Sequence, residues 1–164
     1  MKHIGLISDT HSYLDNEIIG FLKDVDEIWH AGDIGSEDVL DRLEKFKPVR
    51  AVFGNIDDNK IKQRTHENLR FKVEDTDILM THIGGYPGNY SAQIKAEIFN
   101  NPPKLFIAGH SHILKVIFDK NLNLLHINPG AAGKYGWHKV ITAISFEING
   151  EKIQNLQIFE KQRK

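Results

Sequence analysis

Cysteine is absent from the 164 residues. Disulfides, thiolate metal sites and cysteine nucleophiles are therefore excluded. A disulfide-free chain suits a reducing cytosol, so a cytoplasmic location is expected. Long apolar runs are also missing. Nothing approaches the ~18 apolar residues of a membrane-spanning helix. The opening MKHIGLISD is too short and too soon interrupted for a signal peptide. No membrane contact is expected. Excess charge of either sign is lacking too: 21 Lys and Arg stand against 22 Asp and Glu, net −1 with neutral histidines. That argues against a dominant polyanion-binding surface, and no stable nucleic-acid complex is expected. No linker, repeat or low-complexity tract divides the chain, so 1–164 reads as a single domain.

What the chain does have is histidine, nine of them. Histidine is the commonest metal ligand and the usual acid–base residue, so their placement carries information. Short apolar runs at Ile4–Ser8, Glu27–Ala31 and Val49–Phe53 read as strands. Between them, Leu14–Lys23 shows helical spacing, with Asp15 or Asn16 available as cap. Ser36 precedes a second helical stripe of Val39, Leu40, Leu43 and Phe46, closed by Pro48. This β-α-β-α-β order predicts parallel strands joined by helical crossovers.

Further on, Leu69–Val73 and Ile78–Thr81 flank a hairpin turn at Asp75-Thr76. Gly84–Asn89 is turn chemistry. A Ser91-capped helix ends near Asn101-Pro102-Pro103, and Leu105–Ala108 is a strand. Two more hairpins follow, around Asn121 and around Asn149-Gly150. The second half is thus expected to be mostly antiparallel, with fraying at residues 161–164. The expected architecture is α/β, with a mixed sheet folded as two sheets face to face.

Polar residues follow the strands in a regular way. Asp9-Thr10-His11 ends the first, Gly32-Asp33 the second and Gly54-Asn55-Ile56-Asp57 the third. His82 ends the strand at Ile78–Thr81, and Gly109-His110-Ser111-His112 ends Leu105–Ala108. Each fragment alone is ordinary turn chemistry. Together they place a metal-competent side chain at five successive strand ends, where open α/β sheets bind ligands.

In this order the series resembles the motifs of the calcineurin-like metallophosphoesterases over Ile4–Gly133, and is closest to their small YfcE-type phosphodiesterases. The Asn128-Pro129-Gly130 segment is similar as well. The resemblance implies a four-layer sandwich of two mixed β-sheets flanked by α-helices. It implies that Asp9, His11 and His112 bind one metal, that Asn55, His82 and His110 bind a second, and that Asp33 bridges both. Asp33, Asn55 and His82 would then carry catalysis, with a metal-bridging hydroxide attacking a phosphodiester in line. Mixed oxygen and nitrogen donors suit first-row divalent ions. Mn²⁺ is the first expectation, with Fe²⁺, Co²⁺, Ni²⁺ and Zn²⁺ as alternatives. A small phosphodiester is the expected substrate and a homodimer the expected assembly.

One position departs from many family members. Ile56 stands where a histidine often follows the ligand asparagine, and Ile56 transfers no proton. Esters with good leaving groups are therefore expected to be preferred. Two other activities fit the same resemblance: a phosphomonoesterase or nucleotide pyrophosphatase, and a non-catalytic scaffold like the retromer subunit of this fold. The complete ligand pattern favours the enzyme.

The remaining histidines read differently. His30 suits a structural strand end or the support of a ligand. His126 reads as structural, and His3 and His66 as surface residues. His138 lies in a glycine-punctuated loop, a candidate pocket wall or dimer contact. Asp57 is expected to hold the Asn55 turn, and Ser111 only to space its two histidines.

Overall fold

Strands covered on both faces must be apolar on both faces, and the early runs of this chain are. In the computed structural model, which describes residues 1–163, the first two are buried in just that way, while the third, at the sheet edge, is only partly buried. The elements in order are β1 (Lys2–Ile7), α1 (Asn16–Phe21), β2 (Glu27–His30), α2 (Glu37–Phe46), β3 (Val49–Ala51), α3 (Asn59–Arg64), β4 (Asn68–Val73) and β5 (Thr76–Thr81). They continue with β6 (Gly85–Tyr86), β7 (Asn89–Tyr90), α4 (Ala92–Asn100), β8 (Leu105–Ile107), β9 (Leu114–Asp119), β10 (Leu124–Pro129), β11 (Val140–Asn149) and β12 (Lys152–Gln162).

One five-stranded sheet runs β12-β11-β1-β2-β3 and a second runs β4-β5-β8-β10-β9, with β6 and β7 as a small ribbon. Alternation along the strands builds three cores. Ile4 and Leu6 of β1, Ile78 and Met80 of β5, and Leu105 and Ile107 of β8 meet between the sheets. Ile7 faces outward to Ile18 of α1 and Leu40 and Leu43 of α2. Leu79 and Phe106 face the other way, to Ile94 and Ile98 of α4. The result is the expected four-layer sandwich of two mixed sheets flanked by helices. Among the described residues no helix is long and apolar enough to cross a membrane.

Several local expectations are corrected. β8 pairs in parallel with both β5 and β10, so the second half is less antiparallel than its hairpins suggest. The α4 crossover returns the chain to the same direction, and pairing partners are not written in local pattern. The short helix α3 was not expected, because Ile61 is its one buried residue; Asp58 caps it by accepting the Ile61 N–H at 3.1 Å. α1 ends at Phe21, short of Lys23, with Asp15 as its cap. The Gly84–Asn89 turn carries the β6–β7 ribbon. The chain end does not fray at residue 161: β12 reaches Gln162, and Lys161 Nζ lies 3.0 Å from Asp15 Oδ2. Residue 164 lies outside the described residues.

Candidate metal centre

The loops after β1 and β2 are zipped together by backbone. Asp9 N–H donates to Gly32 O (2.9 Å), His11 N–H to Asp33 O (3.0 Å) and Ser12 N–H to Ile34 O (2.9 Å). This ladder holds residues in left-handed backbone, a region costly for most side chains but tolerated better by Asp and His. Asp9 (φ 54°), His11 (45°), Asp33 (55°), His110 (73°) and His112 (63°) all adopt it. Five of the seven predicted site residues thus carry local strain, which the surrounding bonds hold in place. Gly109 explains the apolar-to-glycine step before its histidines: a Cβ there would collide with Ser8 Oγ. Without it the loop closes on β1, and His110 N–H reaches Asp9 Oδ2 at 3.0 Å.

The seven residues meet in one cluster. Asp9, His11 and His112 form one group that could hold a metal ion, and Asp33, His82 and His110 form a second, the donor atoms of each lying within 4.8 Å of one another. Asn55 joins the second, with its Oδ1 3.1 Å from His110 Nδ1. Asp33 faces both: Oδ2 lies 3.4 Å from His11 Nε2, and Oδ1 lies 3.3 Å from His82 Nε2. His112 Nε2 is 3.3 Å from Asp9 Oδ1.

The donor atoms fit cations. Asp9 Oδ1, His11 Nε2 and His82 Nε2 are buried without any hydrogen-bond partner, as is His126 Nε2 in β10 outside the cluster; three such atoms converging on one point is an expensive arrangement unless something else binds there. Asp9 Oδ2, by contrast, is fully engaged by Ser8 Oγ and the His110 amide. His82 Nδ1–H donates to Ala31 O at 2.7 Å, which points Nε2 at the carboxylates, where it becomes a ligand lone pair once a cation displaces its proton.

Titration follows from the same contacts. Burial alone would raise the Asp9 carboxyl, but contact with His11 and the charge of His82 reverse this and hold it far below the usual range. Asp33 behaves likewise: burial opposes its ionisation, and His11 and His82 win. Asp33 and then Asp9 push His11 up to about 9 from 6.5. In the cation-free protein His11 therefore carries a proton at neutral pH, which an incoming metal must displace. Its stabilising contribution is complete below 6.5 and is lost as pH rises through about 9. The carboxylates act oppositely, contributing above 3.8 and losing that contribution as pH falls. Divalent-cation affinity should thus climb from pH 6.5 towards 9 with protons released on binding. Calorimetry in buffers of different ionisation enthalpy measures both; an affinity flat over that range contradicts the assignment to His11.

Supporting residues were only partly visible in the sequence. Asp57 accepts from Ile34 N (3.1 Å), Gly35 N (2.8 Å) and Gly54 N (2.8 Å), tying the third strand end to the second. It holds the Asn55 turn as expected, and more. His30 takes the structural role: Nδ1 accepts the Gly32 N–H (3.1 Å) and Nε2–H donates to Thr10 Oγ1 (3.0 Å). Burial lowers it to about 4. His126 is also structural, with Nδ1 3.1 Å from Phe106 O. Ser111 does more than space its neighbours: Asn128 Nδ2 donates to its Oγ (3.1 Å) and to Gly109 O (3.0 Å). The Asn-Pro-Gly segment therefore pins the histidine loop. The contact between Asn128 and Ser111, seventeen residues apart, is not legible in the local sequence.

The fold and these donors define a metal-binding α/β sandwich with carboxylate, imidazole and amide groups at the strand ends. The chain belongs to the calcineurin-like phosphoesterase superfamily: the profile "Calcineurin-like phosphoesterase superfamily domain" matches residues 1–151. A probable metallophosphoesterase of Methanothermobacter thermautotrophicus is 30% identical over 133 residues, covering 78% of this chain and 76% of its own. Among solved structures, an archaeal phosphodiesterase is similar at TM-score 0.76 and 21% identity, covering 96% of this chain and 99% of its own. Entamoeba histolytica Vps29 complexed with Zn²⁺ is similar at TM-score 0.76 and 17% identity, covering 99% of each chain. Those two likenesses speak for the fold.

Proposed function

We propose that the chain is a binuclear metal-dependent phosphodiesterase acting on a small ester. The observation that carries this reading is the convergence of three unpartnered buried atoms, Asp9 Oδ1, His11 Nε2 and His82 Nε2, in one cluster of donors, within a phosphoesterase-family chain. On this reading Asp9, His11 and His112 hold one cation, Asn55, His82 and His110 the other, and Asp33 faces both. The oxygen and nitrogen donors fit Mn²⁺ first, then Fe²⁺, Co²⁺, Ni²⁺ or Zn²⁺. When bound, two such ions supply positive charge to attract the ester and Lewis acidity to activate water against it.

The chain's own residues set the rest. Asn55 is an amide, so it offers an oxygen without further neutralising the site. Ile56 N–H donates to Asp33 Oδ1 at 3.2 Å, which holds that carboxylate in place. A cleft of about 310 Å³ beside Asn55 and His82, lined also by Phe53, Lys62, Asn68 and Gln93, has room for a small ester substituent. The Lys62 ammonium sits 5.3 Å from the Phe53 ring centroid at its wall. The Ile56 side chain, 46% exposed, offers no proton to a leaving alkoxide.

The test is turnover of bis(p-nitrophenyl) phosphate after chelation and reloading with each ion in turn. Turnover should be restored by Mn²⁺ and vanish with chelator. Absence of a general acid typically costs ~10²–10⁴-fold for a poor leaving group, so an alkyl phosphodiester should react slower by a factor in that range. Equal alkyl and aryl rates would contradict the role given to Ile56. Ion binding without turnover of any phosphoester would favour a scaffold instead.

A further inference from the structure

The loop after β10 returns over the cluster, and its near end is tied to the residues that follow β1. Ala132 N–H donates to Ser8 O (2.8 Å) and Gly133 N–H to Asp9 O (3.1 Å). At its far end Arg163 Nη1 donates to Gly136 O (2.6 Å) and Arg163 N–H to Lys139 O (3.0 Å). Gly136, at φ 132°, lies so close to the His112 ring that a Cβ would collide with Nδ1 and Cε1. A glycine is needed there for the loop to approach.

His138 follows in this loop and is buried. Its Nε2 lies 2.6 Å from Gly133 O. A carbonyl only accepts, so Nε2 carries the hydrogen. In a neutral ring Nδ1 is then a lone pair, and it lies 3.0 Å from His112 Nδ1. Two acceptors do not bond, so His112 donates from Nδ1. When the His112 ring is neutral, as a metal ligand must be, its Nε2 is then the lone pair, 3.3 Å from Asp9 Oδ1.

We propose that His138 is a positioning residue for the Asp9–His11–His112 cation position. It accepts the His112 Nδ1–H, and so fixes the tautomer and ring orientation that present the Nε2 lone pair to the ion. This rests on the metal reading of that group. The chain of contacts is closed: His112 leans on His138, His138 on Gly133 O, and Gly133 N–H on the backbone of Asp9 itself. His112 is thereby set relative to the carboxylate with which it shares an ion. A carboxylate in place of His138 would also orient the ring, but would add negative charge beside a site meant for an anionic ester. A neutral histidine orients without that cost.

The test compares wild type, His138→Leu and His138→Gln in full-length protein, titrated with Co²⁺ and followed by calorimetry and visible absorption. Glutamine can accept from His112 with Oε1 and donate to Gly133 O with Nε2; leucine can do neither. Loss of an outer hydrogen-bond partner typically weakens metal binding ~10–100-fold. His138→Leu should lose that much at one of two positions with the other unchanged, and His138→Gln should recover most of it. Nitrogen-15 NMR of the metal-free wild type should show the His112 proton on Nδ1. Wild-type affinity at both positions in His138→Leu overturns the proposal, as does a His112 Nδ1 that carries no proton. Equal weakening of both positions in both variants, with a lowered melting temperature, also overturns it, since that marks a structural role. A wild-type protein that binds no ion overturns the metal reading itself, a result distinguishable from the others.

Discussion

Asp33→Asn should abolish binding at both cation positions together and lower aryl phosphodiester turnover by at least ~10²–10³-fold, the loss seen when one preorganised electrostatic group is removed. The expectation follows from where its oxygens point. Oδ2 faces His11 of one group at 3.4 Å and Oδ1 faces His82 of the other at 3.3 Å. Asparagine keeps the shape and can still accept the Ile56 N–H through Oδ1. It cannot keep the charge, and its amide nitrogen is no ligand. With Asp33 neutral, Asp9 alone would offset the charge of two divalent ions. His110→Ala and His112→Ala are the contrast, because each belongs to one group only. Each should weaken one ion and leave the other. Metal content by elemental analysis, with turnover of the same preparations, checks all three. An Asp33→Asn protein that retains two ions, or loses only one, would show that the carboxylate does not serve both.

Asp57→Ala should produce the largest loss of stability, about 3–5 kcal/mol, the scale of stripping the partner from a buried charged hydrogen-bonding group. Three backbone N–H groups, of Ile34, Gly35 and Gly54, converge on this carboxylate. Alanine leaves all three without a partner in a place water reaches poorly. At ~2–4 °C per kcal/mol for a domain of this size, the melting temperature should fall by roughly 10 °C. Asp33 and Asn55 sit on the two loops so joined, so metal affinity should fall as well. Asp58→Ala, next in the chain, removes only the cap of α3 and should cost about 1 kcal/mol. Urea denaturation of the metal-free proteins separates the two. If Asp57→Ala costs no more than Asp58→Ala, the carboxylate does not join the loops in the way its contacts indicate.

The site was more legible than its supports. Apolar runs ending in Asp, Gly or His marked five strand ends, because strand burial and the turn that follows are both local. Which strands pair was not local. β8 lies parallel between β5 and β10, although the hairpins around it suggest antiparallel neighbours. α3 leaves no mark in the sequence, because one buried isoleucine makes no periodicity. Lys161 was expected to fray, and its partner Asp15 is distant in sequence. His138 stood out only as a histidine in a glycine-rich loop, since its bond to His112 spans 26 residues.

By itself the sequence determined the donor types and their order along the chain: two aspartates, an asparagine and four histidines, each after an apolar run, with no thiol among them. Tertiary structure decided how they are used. It turned Asp33 between two groups, left particular nitrogens bare and set a neutral histidine behind His112. The physical reason is that residue type fixes what a side chain can donate or accept, whereas its actual partner depends on which backbone the packing of two sheets brings within about 3 Å.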